Sequence, residues 1–184
     1  MPGSALDTLD PSDGELLVHT GVMGRAAKMG HRLTIRMDSW HASVHWHGTQ
    51  PRTAELTVDV DSLHVVRGEG GVTPLSGPEK ALVRANALTV LDAKRFPQIR
   101  FDADDIEETR DGYRLTGTLE IHGRSKKHVV DVQVQDVGDS WQLSSDADVR
   151  QTEFGIKPYS MLMGVMKVTD DVTVSLRAVR DKSG

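Results

Sequence analysis

The feature of this sequence that most constrains its fold is a regular alternation of apolar and polar residues in several separate runs. In one run, Leu56, Val58 and Val60 alternate with polar residues. A period of two places successive side chains on opposite faces of a β-strand, so each run predicts a strand with one buried face. Further runs of this kind lie near residues 99–104, 113–121, 130–135 and 171–178.

Turn residues separate these runs and indicate that consecutive strands are antiparallel. Asp111-Gly112, Gly123 and Gly138-Asp139 each lie between two runs, and short loops join antiparallel strands. A series of roughly eight such strands predicts an all-β fold, either a barrel or a sandwich. The predicted strands lie at about residues 15–20, 31–38, 40–48, 53–61, 98–108, 113–122, 128–137 and 140–150, with a last one near 168–179.

Three segments depart from this pattern. Pro78 to Lys94 has helical spacing, with Leu82, Ala85 and Leu88 on one face, and predicts one or two short helices beside the sheet. The Gly-rich stretch from Val65 to Gly77 predicts a mobile loop. Residues 1–14, rich in Pro, Gly, Ser and Asp, predict a flexible N-terminal arm before a single domain over residues 15–180.

Composition limits the classes of function. The formal net charge is −5, which argues against nucleic acid and anionic membrane surfaces as partners. The absence of cysteine excludes disulfides and thiolate catalysis. The N-terminus has no secretion-signal pattern, and no apolar run approaches the ~18 residues of a membrane span. We therefore expect no membrane span and a cytoplasmic location, or an exported protein if a leader was removed.

Four motifs occur in order along the chain. They are the Pro-x-Ile-x-Phe pattern at 97–101, Gly-x-Leu-x-Ile-x-Gly at 117–123, Glu-Phe-Gly-Ile at 153–156 and Asp-x-Val at 170–172. Together they resemble the YceI-like family. The resemblance implies an eight-stranded antiparallel lipocalin-like barrel with one or two inserted helices. It further implies a long apolar pore that holds an isoprenoid or another amphiphilic lipid, often in a homodimer.

The sequence also departs from the family pattern. Gly30-His31-Arg32-Leu33 replaces an expected Asp-x-x-His-Ser element, and residues 83–88 replace an expected Arg-Asp-x-His-Leu element. The segment of residues 67–75 is longer and richer in glycine than the family pattern leads us to expect. Many relatives are exported. These departures leave the identity of the ligand and the compartment open.

The apolar faces of the strands provide the candidate ligand-binding residues. Either they surround a cavity or they fill the barrel as a solid core. Methionine side chains suit a surface that adapts to several ligand shapes, which favours a pocket mouth near residues 159–163, although they also fill gaps in ordinary cores. The candidate ligand-binding residues are Leu56, Val58, Phe101, Leu115, Leu119, Phe154, Ile156, Tyr159, Met161 and Met163.

Histidines provide the main alternative signal. The strand period places His41, His45 and His47 on one face, and His45 and His47 are close enough to share one metal ion. The opposite face, with Trp40 and Trp46, is the better barrel lining. We therefore expect a solvated histidine row, with His45 and His47 as weak metal candidates only.

No catalytic motif is present. Neither a Gly-x-Ser-x-Gly elbow, nor a dinucleotide fingerprint, nor a phosphate loop occurs in the sequence. The favoured function is binding of a lipid-like molecule, a polyprenyl chain or a fatty acid, for sequestration or transport, with no cofactor and no catalysis. Two alternatives stay open. One is an enzyme acting on a hydrophobic substrate, for which Tyr113 is the strongest polar candidate, and the other is a stress or interaction protein with a filled barrel.

Overall fold

The structure is a computed structural model, and it describes residues 4–182. One α-helix, α1, runs over Gly77–Val90, and short 3₁₀ helices lie at Ala27–Met29, Val60–Ser62 and Gln151–Phe154. The strands are β1 (Ser4–Leu9), β2 (Gly14–His19), β3 (Val22–Met23), β4 (His31–Met37), β5 (Trp40–His47), β6 (Gln50–Asp59), β7 (Leu63–Gly70), β8 (Gln98–Glu108), β9 (Gly112–Ile121), β10 (Arg124–Asp136), β11 (Ser140–Arg150), β12 (Ser160–Met161), β13 (Met166–Val168) and β14 (Asp171–Asp181).

Eleven of these strands form one curled antiparallel sheet, in the order β1-β5-β6-β8-β9-β10-β11-β14-β2-β4-β7. The predicted all-β class is correct, and the curled sheet matches the expected lipocalin-like barrel. The other three strands form a small separate sheet, β12-β13-β3. The first long strand of the domain, β2, pairs with the last, β14, so that Leu16 lies opposite Leu176.

One long bent hairpin joins the two ends of the curled sheet. Its base is the β4–β7 pair and its tip is the β5–β6 pair. The hairpin bends at Asp38-Ser39 and at residues 60–62, where the Asp59 amide donates to the Ser39 carbonyl at 3.0 Å. The base pairs with β2 and the tip pairs with β8. The hairpin therefore continues from one end of the curl to the other.

The predicted count of eight strands is wrong, because the sheet has eleven. The bend at residues 60–62 divides this side of the hairpin into two strands, β6 and β7. The second of them, β7, covers part of the stretch from Val65 to Gly77 that was predicted as a mobile loop. Leu63 and Val65 of β7 are buried in the core, but the glycine-rich second half of the strand pairs with β4 through the main chain, and its glycines suggested a loop.

The prediction of a flexible arm over residues 1–14 is wrong for residues 4–9, which form β1 and pair with β5. Arg180 holds this strand from the other side, since its guanidinium donates to Asp7 at 3.0 Å and to the Thr8 carbonyl at 2.8 Å. The Asp and Ser residues that suggested disorder instead form a tight turn, in which the Asp13 amide donates to the Asp10 carbonyl at 2.9 Å. Residues 1–3 lie outside the described range.

A capping box fixes the start of α1. The Ser76 hydroxyl accepts from the Glu79 amide at 3.3 Å, and the Glu79 carboxylate accepts from the Ser76 amide at 3.4 Å. Among the described residues a single α-helix forms here, beginning one residue before the predicted segment Pro78–Lys94 and ending four residues before its end, and its contact face agrees with the expected one only in part. Leu88 packs against the core as predicted, together with Val83, Ala87 and Val90, while Leu82 and Ala85 are exposed.

Candidate ligand-binding cavity

The curled sheet encloses a cavity of about 1080 Å³. Its wall is built from the inward faces of the long strands and one face of α1, following the alternation seen in the sequence. On β10 and β11, for example, the wall takes every second residue. These wall residues are His128, Val130, Val132 and Val134 on β10, and Trp141, Leu143, Ser145, Ala147 and Val149 on β11.

The structure places eight of the ten candidate ligand-binding residues on this wall. Five come from the curled sheet and three from the segment that precedes β12 or from β12 itself. The eight are Leu56, Val58, Phe101, Leu115, Leu119, Ile156, Tyr159 and Met161.

The other two candidates, Phe154 and Met163, do not line the cavity. Phe154 is 1% exposed and fills the core beside Phe101 and Ile156, because Gly155 ends its 3₁₀ helix at φ 68° and leaves the ring pointing into packed protein. Met163 has φ 57° and a fully exposed side chain. Its position in a left-handed turn directs the side chain to solvent.

The cavity reaches the surface beside α1. Met29, Leu82 and Met161 each line the cavity and are also exposed to solvent, which indicates that the wall opens at these residues. We call this opening the methionine mouth. Two contacts hold its helical side: Arg84 donates to the Leu63 carbonyl at 2.8 Å, and the Asn86 amide donates to the Tyr159 hydroxyl at 3.2 Å.

The cavity also reaches the surface at the opposite end of the curl. Trp141 lines the wall there and is 39% exposed, with the Lys182 ammonium 4.3 Å from the centre of its ring. The turn of residues 108–112 completes this opening, which we call the Trp141 mouth. Inside it, the rings of Trp46 and Tyr113 meet edge to face with centroids 6.3 Å apart.

The sequence of this domain matches the YceI-like domain over residues 8–179. The chain belongs to the YceI-like family. The resemblance carried by the four motifs is therefore confirmed over most of the chain. No curated protein matches the chain at a significant level.

Solved structures support the same YceI-like fold. The structure is similar to that of BcnA from Burkholderia cenocepacia, with a TM-score of 0.65 and 17% identity, over 90% of this chain and 95% of that one. It is also similar to the YceI protein of Campylobacter jejuni, with a TM-score of 0.60 and 16% identity, over 80% of this chain and 84% of that one. At this level of identity the likeness shows a shared fold.

His128 is the main polar wall residue that the sequence reasoning missed in this YceI-like domain. Its imidazole packs edge to face against Phe101, with centroids 6.3 Å apart, and burial lowers its pKa. Within residues 4–182, no side chain or main-chain group forms a hydrogen bond with its ring. Its position was available from the sequence, because His128 has the same strand parity as Val130 and Val132.

Tyr113 and the tryptophans add further polar groups near the Trp141 mouth. Burial, with a smaller contribution from Glu108, raises the pKa of Tyr113. The buried Nε1 atoms of Trp40 and Trp46 have no hydrogen-bond partner among the described residues. Trp46 lines the cavity, whereas Trp40 is 4% exposed and belongs to the core.

The histidine row lies on the outer face of β5. His41, His45 and His47 are exposed, while Ala42, Val44 and Trp46 line the cavity. In the part of the chain that the structure describes, no group of three or more potential metal ligands comes together. His45 and His47 thus have no third ligand there. No helix in the described residues is long and apolar enough to cross a membrane.

Proposed function

We propose that this YceI-like protein binds an amphiphilic lipid, a polyprenyl chain or a fatty acid, in its cavity and sequesters or carries it. The observation that carries the proposal is the volume of about 1080 Å³ behind a mainly apolar wall. Burying an apolar chain against such a wall is favourable by about 0.8 kcal/mol per methylene group. No catalytic group is needed for this function.

The volume supports a guest with a long chain. If a hydrocarbon atom occupies about as much space as a water molecule in the liquid, roughly 30 Å³, the cavity accommodates on the order of 35 heavy atoms. At roughly 0.3 kcal/mol per atom, such a guest would bind with about 10 kcal/mol, which corresponds to submicromolar affinity. A chain of about seven isoprene units has this size.

His128 supports an amphiphile over a plain hydrocarbon. Its ring faces the cavity without a hydrogen-bond partner among the described residues, so a hydroxyl or carbonyl oxygen of the guest can bond to it. A buried polar group without a partner costs free energy, and a guest that satisfies it gains affinity. Tyr113 and Asn86 provide further polar contacts near the two mouths.

Native mass spectrometry of the protein purified from its own host tests the proposal, together with organic extraction of the same sample. We expect a co-purifying lipid whose mass identifies a polyprenyl or a fatty acyl chain, recovered chemically unchanged after incubation. The delipidated protein is then offered a polyprenol and a fatty acid separately. Failure to bind either lipid would overturn the proposal, and conversion of the lipid to a product would favour the enzyme alternative.

A further inference from the structure

Two segments that are distant in the sequence form one surface around the methionine mouth. They are residues 22–32 and residues 155–168, which we call the portal surface. Strand β3 pairs with β13, so that Met23 lies opposite Lys167, and the Ala26 amide donates to the Val165 carbonyl at 3.0 Å. Met29 and Met161 belong to both the portal surface and the cavity wall. The surface is thus continuous with the cavity.

The portal surface is basic in an acidic protein. Its two segments contain five Lys or Arg residues and no Asp or Glu, whereas the remaining residues contain 17 Lys or Arg and 27 Asp or Glu. All five are exposed, and none forms an ion pair within residues 4–182. These residues are Arg25, Lys28, Arg32, Lys157 and Lys167.

Exposed apolar side chains lie among these cations. Met23, Met29, Met161, Met163 and Val165 are each at least 37% exposed, and Met163 is fully exposed. Five of the seven methionines of the chain lie in the two segments. A surface that combines flexible apolar side chains with Lys and Arg suits the boundary between anionic lipid headgroups and acyl chains.

We infer that the portal surface docks on an anionic lipid bilayer and places the methionine mouth against it. A lipid can then pass between the bilayer and the cavity without crossing water. The inference rests on the proposed function, because it assumes that the guest is a lipid. It also offers a route by which a protein with a net charge of −5 approaches an anionic surface, since the two portal segments are basic, although Glu69 lies opposite Arg32 and Asp170 lies near Lys167.

The opposite end of the molecule favours the same orientation. The Trp141 mouth carries four acidic residues of the β8–β9 and β10–β11 turns, namely Glu108, Asp111, Asp136 and Asp139, of which Asp136 is paired with Lys182 at 2.6 Å, and Arg110 lies in the same β8–β9 turn. Because acidic residues outnumber basic ones in these two turns, an anionic bilayer attracts the portal surface more strongly than this end. At the other end, beside α1, Glu79 is an acidic residue that lines the cavity. Its carboxylate already accepts the capping hydrogen bond from the Ser76 amide.

Co-sedimentation with lipid vesicles at low ionic strength tests the inference. The wild type is expected to bind vesicles of equal parts phosphatidylcholine and phosphatidylglycerol, to bind pure phosphatidylcholine vesicles weakly, and to dissociate as salt is added. Arg25→Gln/Lys28→Gln removes two charges from the portal surface and is expected to weaken binding roughly 25-fold. The matched control, Arg52→Gln/Lys127→Gln, removes two exposed charges elsewhere and is expected to bind like the wild type.

A second pair of variants tests the apolar contribution. Met163→Asn removes an exposed apolar side chain at a left-handed position that Asn tolerates, so the fold is preserved, and vesicle binding is expected to fall about tenfold. The control Val137→Asn likewise replaces an exposed apolar side chain with Asn, at the β10–β11 turn far from the portal surface, and is expected to have no effect on vesicle binding.

Binding of a fluorescent fatty acid without vesicles separates this inference from the proposed function. All four variants are expected to bind the fatty acid like the wild type. Equal binding of the wild type to both kinds of vesicle, or equal losses in the portal and control variants, would overturn docking while fatty-acid binding persists. If the wild-type protein does not bind the fluorescent fatty acid, the proposed function is overturned instead.

Discussion

Replacing Ala147 with Trp should shorten the longest lipid that the cavity accepts. Ala147 lies on β11 opposite Val174, and its small side chain faces the cavity between Ser145 and Val149. A larger side chain at this position therefore extends into open space. Indole adds about nine heavy atoms, which displace a similar number of ligand atoms, or roughly two isoprene units, from a cavity that holds on the order of 35.

The expected loss depends on the length of the ligand. A polyprenol of about seven isoprene units loses some nine buried atoms at roughly 0.3 kcal/mol each, so its affinity should fall by about 2.7 kcal/mol, or roughly 100-fold. Oleic acid, with about 20 heavy atoms, still fits the remaining space, and its affinity should change little.

Native mass spectrometry with an equimolar mixture of polyprenols of different lengths measures this effect directly. The bound population of Ala147→Trp should shift to shorter chains than that of the wild type. The control is Gln142→Trp, which adds the same ring to the exposed outer face of the same strand. An unchanged length distribution in a folded Ala147→Trp protein would refute the assignment of the cavity as the lipid site.

Three further predictions concern stability and are measured by urea unfolding. Burial lowers the pKa of His128 from its ordinary 6.5, so the unfolded chain takes up a proton at this residue before the folded protein does as the pH falls below about 6.5. The free energy of unfolding of the wild type should therefore fall more than that of His128→Phe between about pH 7 and pH 5. Equal losses in the two proteins would contradict this prediction. Ser76→Ala removes the helix cap and should cost about 1 kcal/mol, whereas an unchanged free energy of unfolding would contradict the capping role. In Gly117→Ala, the new Cβ would lie 1.9 Å from the Asp102 carbonyl oxygen, so we expect a loss of about 3 kcal/mol or more. Gly77→Ala, with nothing within 4 Å, should change stability by less than about 0.5 kcal/mol, and similar losses in both glycine variants would refute the steric argument.

The alternating pattern predicted most of the sheet because it reports burial on one face of a strand. It identified β8 to β11 and β14 with small errors at their ends. It did not identify β1 or the glycine-rich second half of β7, which pair with β5 and β4 through the main chain. The bend that joins the two ends of the curl depends on contacts between distant residues, and no local pattern reports such contacts.

The same limit applies to the cavity. Strand parity placed Leu56, Phe101 and Leu115 on the wall, and it would have placed His128 there as well. Strand parity does not apply to Phe154 and Met163, which lie outside the long strands in a 3₁₀ helix and a left-handed turn, where side-chain direction depends on backbone conformation. The portal surface was hidden because its charges come from two segments more than a hundred residues apart, neither of which is a basic run by itself.

The pairing of β2 with β14 has a consequence for how the protein is made. Because β2 pairs with β14, with Leu16 opposite Leu176, the curled sheet cannot be completed on a ribosome until the residues of β14 have emerged. Until then, the apolar inner faces of the strands are uncovered and prone to aggregation. Nascent chains of this protein are therefore expected to depend on chaperones up to the last strand, and a stop codon before residue 171 should yield insoluble product.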